Sequence, residues 1–117
     1  MIYEKNLSEP WFSLIKLGLK TVEGRLNKGD FKELKKNDII KFINNDFPIS
    51  RNFKVKIKSK KIYNTFSEYL TGERLQKCLP GIDTINEGVT IYYKYYKKSD
   101  EQQYNILAIR FKLIDDK

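Results

Sequence analysis

A chain of 117 residues, 40% hydrophobic, 14% aromatic and 32% charged, has the length of one domain and enough apolar residues for a real core, which excludes a disordered basic tail. It carries a formal charge of +8, no histidine and a single cysteine, Cys78. Those absences exclude a Ser-His-Asp triad, an imidazole general base, a zinc ribbon and an internal disulfide.

No apolar stretch opens the chain as a signal peptide would, and no run approaches a membrane span. The expectation is a soluble, cytoplasmic protein with a single domain over residues 1–117. Ile2 to Leu7 reads as a first strand, and Ser8-Glu9-Pro10 as a helix start with Pro in the first turn. Trp11, Leu14 and Ile15 recur at helical spacing up to a stop at Gly18. Lys20 to Leu26 reads as a strand with Val22 and Leu26 toward the core and Thr21, Glu23 and Arg25 on the opposite face. A loop through Gly29 and Asp30 leads to a helical turn at Leu34–Asn37, then Ile39 to Ile43 reads as a buried strand and Asn44-Asn45-Asp46 as a turn. Phe53 to Lys58 alternates as a half-buried strand with lysines outward. Thr65 with Glu68 opens a helix burying Phe66, Tyr69 and Leu70, which Gly72 interrupts before Leu75, Cys78 and Leu79 continue the apolar stripe. Thr84 with Glu87 opens another helix, with Ile85, Val89, Tyr92, Tyr93 and Tyr96 on one side. Leu107 to Leu113 alternates as a closing strand. The class is α+β: about five to six strands in a small curled barrel with roughly three flanking helices.

The charge is unevenly placed. Residues 1–63 hold 15 Lys and Arg against 7 Asp and Glu, whereas residues 64–117 hold 8 against 8. The excess is densest at Arg51, Lys54, Lys56, Lys58, Lys60 and Lys61, where no acid intervenes. This segment reads either as a solvated strand face or as a strip that steers phosphates. The Lys-, Ile- and Asn-rich composition is also of the kind an AT-rich genome encodes.

Lys20, Thr21, Glu23 and Arg25 form the densest candidate site: a cation, a hydroxyl, a carboxylate and a planar guanidinium suit recognition of a nucleobase and its phosphate. The same spacing also suits a structural ion pair on an exposed strand. Trp11 and Tyr95 are candidates for stacking on a base, with core packing the competing reading for Trp11. Tyr92 and Tyr96 fall on the apolar stripe of their helix and read as core. Cys78 reads as a buried, inert thiol. No metal-ligand constellation is present in the sequence, and no cofactor is expected.

Ser8-Glu9-Pro10-Trp11-Phe12, followed by Gly18-Leu19-Lys20-Thr21-Val22-Glu23-Gly24-Arg25, resembles the signature of the ASCH domain family within the PUA-like superfamily. Lys36 to Phe42, Leu79-Pro80-Gly81, the tyrosine run Ile91 to Lys97 and the strand at Leu107-Ala108-Ile109 resemble further segments of small prokaryotic and viral members, in the family's order. The likeness runs from about residue 8 to residue 113. It implies a PUA-like barrel whose polar cleft, lined by Lys20, Thr21, Glu23 and Arg25, binds RNA or a nucleotide-like small molecule. One branch of the family hydrolyses the amide of N4-acetylcytidine with a Lys-Thr-x-Thr-x-Arg motif and a later glutamate. Here Glu23 stands at the nucleophilic threonine's position, and Leu79 to Gly81 offers no carboxylate. The expectation is therefore a binding module. The alternative is a metal-independent hydrolase of RNA or a modified nucleoside, carried by Lys20, Glu23 and Arg25.

Overall fold

Five strands form one sheet in the order β1-β3-β4-β5-β2, with β1 (Ile2–Asn6), β2 (Val22–Leu26), β3 (Ile39–Asn44), β4 (Arg51–Tyr63) and β5 (Ile106–Leu113). The structure is a computed structural model and describes residues 1–114. β1 runs parallel to β3, and the other neighbours are antiparallel. β4 is 13 residues long, and a bulge between Ile57 and Ser59 shifts its register against β5. A bulge increases local twist, so this long strand bends and the sheet curls into a half-barrel. The curl brings the edge strands together: Arg25 Nη2 on β2 donates to the carbonyl of Asn6 at the end of β1, 3.0 Å away.

The sheet separates two cores. On its concave side, Ile40, Phe42, Phe53, Val55, Ile57, Leu107, Ile109 and Phe111 pack with Phe12 and Ile15 of α1 (Trp11–Lys16). On the other side of β2 and β5, Val22, Leu26, Ile106 and Ala108 meet Phe66, Tyr69 and Leu70 of α3 (Phe66–Glu73), together with Cys78 and Tyr92. β5 is thus buried on both faces, which accounts for its nearly continuous apolar run. Gly24 faces this second core, and an added Cβ there would lie 2.6 Å from Tyr69. Only glycine lets the Tyr69 ring rest against β2.

Among the described residues there are six helices, several of them a single turn: α1, α2 (Gly29–Glu33), α3, α4 (Leu75–Cys78), α5 (Ile85–Tyr93) and α6 (Lys98–Tyr104). The α+β class and the curled, PUA-like sheet agree with the sequence reading, and the local helix boundaries differ in three places. The turn expected at Leu34–Asn37 lies earlier, at α2, because Phe31 as well as Leu34 packs against the concave core. Gly72 lies inside α3, and the break comes at Arg74, with φ at 81°. An added Cβ at Gly72 would sit 2.6 Å from the Tyr63 ring, so this glycine admits a tyrosine rather than ending the helix. The third, α6, is polar and without an apolar stripe. It is held by buried Glu101, which accepts from the Phe66 amide and the Tyr93 hydroxyl, each at 2.7 Å. The two threonine caps are as expected: Thr65 Oγ1 accepts from Glu68 N at 3.0 Å and Thr84 Oγ1 from Glu87 N at 3.1 Å.

Candidate functional site

Strand alternation on β2 sends Val22, Gly24 and Leu26 to the helices and Glu23 and Arg25 into the concave side, toward the mouth of the half-barrel. Lys20 reaches the same point from the turn after α1, where its amide donates to Leu14 O at 3.1 Å. Lys20 and Glu23 are only 1% and 5% exposed. Two buried charges of this kind persist only when paired and hydrogen-bonded. Here they are. Lys20 Nζ donates to the carbonyls of Val22 (2.7 Å) and Cys78 and lies 3.2 Å from Glu23 Oε1. Glu23 Oε2 accepts from Arg25 Nε at 2.8 Å. Burial alone would raise the Glu23 carboxyl, but the two cations beside it outweigh that and hold it below the ordinary carboxylate range.

This triad forms the floor of a cleft of about 420 Å³, within the roughly 300–1,000 Å³ of small-molecule sites. One wall is aromatic: Trp11 from α1, Tyr92 from α5, and Tyr95 and Tyr96 from the turn that follows it. The opposite wall is polar, with Asn6 at the end of β1, Ser8 from the turn after it, and Asn45 and Asp46 from the β3–β4 turn. Tyr92 and Tyr96 also stack on Phe66, at 4.6 and 5.7 Å between centroids, so they serve the core and the cleft together. Tyr95 is 58% exposed, and its hydroxyl meets Ser8 Oγ across the rim at 3.4 Å.

The charged groups of the cleft balance, with Lys20 and Arg25 against Glu23 and Asp46. All three Lys20 protons have acceptors. Arg25 spends Nε on Glu23 and Nη2 on Asn6, and its plane lies 4.9 Å from the Phe31 centroid. Among the described residues its Nη1 edge has no protein partner. The groups left for a ligand are therefore the Nη1 donors of Arg25, the remaining lone pairs of Glu23 and the Oδ1 of Asp46, whose Oδ2 accepts from Asn44 Nδ2 and Glu9 N.

Of the residues singled out in the sequence, Lys20, Glu23, Arg25, Trp11 and Tyr95 come together around this cleft. Thr21 does not line it. β2 begins at Val22, and Thr21 is exposed, its amide tied to Lys77 O at 3.0 Å, so the alternation does not reach back to it. The segment 51–61 is dispersed. Arg51 braces the β3–β4 turn, donating to Glu9 (2.9 Å) and Asn44 (2.7 Å) with its guanidinium over Phe12 and Phe47. Lys54, Lys56 and Lys58 lie on the outer face of the sheet, Lys60 donates to Lys32 O at 2.9 Å, and Lys61 covers the Tyr63 ring. Sequence reasoning missed the polar wall. Asn45 and Asp46 read only as turn residues, and Ser8 only as a helix cap. Glu9 does the capping instead, accepting from Ser13 N at 2.9 Å, and Ser8 is left facing Tyr95.

A family model described as the ASCH domain matches residues 6–115. The crystal structure of the hypothetical protein PH0355 superposes with a TM-score of 0.87 at 36% identity, covering 97% of this chain and 100% of that one. The solution NMR structure of protein PF0455 from Pyrococcus furiosus superposes with a TM-score of 0.80 at 34% identity, covering 98% and 99%. Among curated proteins, none matches the chain. Among the described residues no helix is long and apolar enough to cross a membrane, and no group of three or more His, Cys, Asp or Glu is placed to hold a metal ion.

Proposed function

The chain belongs to the ASCH domain family, and from that membership we propose that it is an RNA- or nucleotide-binding module whose cleft takes a nucleobase. The observation that carries this reading is the balance of charge in a cleft with one open guanidinium edge beside a carboxylate. A phosphate group needs unspent cations, and Lys20 and Arg25 are already engaged by Glu23. A base edge needs a donor beside an acceptor. Arg25 Nη1 donates to a ring carbonyl or nitrogen, while Glu23 or Asp46 accepts from an amino or imino group. Trp11 and Tyr95 supply faces on which the base stacks.

The reading is one of binding rather than turnover. An ammonium that already donates to three acceptors is poorly placed to take up or deliver a proton. Glu23, between two cations, is a carboxylate acceptor rather than a proton donor. The test is a thermal shift with the four common ribonucleosides and N4-substituted cytidines at low salt. At least one should raise the melting temperature, since ligand at about 100 times its Kd stabilises by about 2.7 kcal/mol. Arg25→Ala should abolish that shift while the protein stays folded. No shift with any nucleoside or nucleotide overturns the reading.

A further inference from the structure

A cluster of unspent positive charge lies on the opposite side of the sheet from the cleft. Phe53, Val55 and Ile57 point into the concave core, so Lys54, Lys56 and Lys58 project from the outer face of β4. Lys41 lies between Ile40 and Phe42, and Lys112 follows Phe111, all three of these apolar residues being in the concave core, so both lysines project outward too. The register sets Lys41 directly opposite Lys54, and Lys56 directly opposite Lys112. A shallow depression of about 370 Å³ beside them is lined by Lys36, Asn37, Lys56, Ile57, Lys58 and Lys112.

Like charges placed directly across a strand pair destabilise a sheet, and this face carries two such pairs. The acids nearest to them offset only part of this charge: Glu4, the register partner of Lys41, faces one of the six lysines. Asp38 is engaged by the chain's N-terminal ammonium at 3.4 Å and the Lys35 amide at 2.9 Å. Among the described residues, none of Lys36, Lys41, Lys54, Lys56, Lys58 and Lys112 takes part in an ion pair.

We infer that this outer face is a second binding surface, one that takes the phosphodiester backbone of a nucleic acid. Neighbouring strands set the lysines about 4.8 Å apart, and alternate residues of one strand about 6.7 Å apart. Long flexible stems let ammonium groups at those spacings meet successive phosphates. All six cations are lysines, point charges without the fork that reads a base edge, so the contact is to backbone rather than sequence. No aromatic side chain stands among these six lysines, so they neither stack bases nor supply the aromatic anchor that membrane-surface segments use. The surface stands apart from the cleft and does not rest on what the cleft binds.

The experiment is fluorescence anisotropy with labelled single-stranded RNA and DNA of the same mixed sequence, between about 50 and 200 mM salt. Both should bind with the same steep salt slope, because only phosphates are contacted. The triple variant Lys54→Gln/Lys56→Gln/Lys112→Gln should flatten the log–log slope by about 2, and Lys56→Gln alone by about 0.7. Glutamine keeps most of the stem and removes the like-charge pairs, so both variants should melt at or above the parent temperature. Saturating the cleft with a nucleoside should leave the slope untouched, which separates this surface from the cleft. An unchanged slope in the triple variant overturns the proposal. So does a failure of both strands to bind at low salt, or binding to phosphatidylserine vesicles that RNA does not compete away.

Discussion

Replacing Glu23 with glutamine removes the one negative charge that lies between Lys20 and Arg25 while keeping the shape of the side chain. Lys20 is 1% exposed, so its ammonium cannot recover hydration and is left with neutral acceptors alone, the carbonyls of Val22 and Cys78 and the amide oxygen at position 23. Breaking a buried pair by neutralising one partner costs about 3–5 kcal/mol, because the other charge stays buried and uncompensated. For a chain of 117 residues the whole stability is on the order of 6–18 kcal/mol. The substitution therefore removes a large share of it. At roughly 4 °C per kcal/mol for a domain of this size, the melting temperature should fall by about 12–20 °C. Thermal and urea unfolding followed by circular dichroism measure this directly. Adding Lys20→Met to Glu23→Gln removes the stranded charge and should restore a substantial part of the loss, a coupling that a double-mutant cycle reads out. A fall of less than about 4 °C, or no recovery in the double variant, would refute the claim that this triad is a closed, mutually compensating unit.

Gly24→Ala drives a Cβ to within 2.6 Å of the Tyr69 ring; overpacking of this kind should cost about 1–3 kcal/mol in urea unfolding, and a parent-like stability would count against the tight β2–α3 contact. Glu9, Glu23, Asp38 and Glu73 all have carboxyls held below their ordinary values, by Ser13 hydrogen bonding at Glu9, the Lys20 and Arg25 charges overcoming burial at Glu23, the Lys35 amide at Asp38 and Arg110 at Glu73. Lowered groups contribute stability that is fully present above their unfolded values and lost as pH falls through the folded ones, so the melting temperature should be flat near pH 6 and fall below about pH 4.5. Burial pushes the Cys78 thiol up to about 11, so a disulfide reagent at neutral pH should label the native protein only at the rate of its opening, and immediate labelling would contradict the buried placement.

Period-two patterning was readable where one face of a strand is solvated, as in β4 and the end of β5 from Arg110 onward, and the capping threonines located α3 and α5. The glycines at 24 and 72 were not readable for what they do, because their roles depend on Tyr69 and Tyr63 arriving from distant parts of the chain. α6 carried no apolar stripe, since its hold on the fold is one buried carboxylate, Glu101, and a single aromatic, Tyr104. The cleft was half readable. Glu23 and Arg25 alternate on one strand, so their shared face follows from period two. The wall of Asn6, Ser8, Asn45 and Asp46 comes from the end of β1 and two turns that meet only because the sheet curls. The basic segment was readable as an outward strand face, but its partners Lys36, Lys41 and Lys112 come from other segments and appear only with the strand register.

The central claim is that the cleft reads a base and not a phosphate. Calorimetric titration of a binding ribonucleoside and its 5′-monophosphate into the same protein, at two salt concentrations, tests it most directly. Equal affinities within about threefold, with little salt dependence, are predicted for a cleft whose charges already cancel. A monophosphate bound about tenfold or more tightly, with an advantage that fades as salt rises, would contradict it.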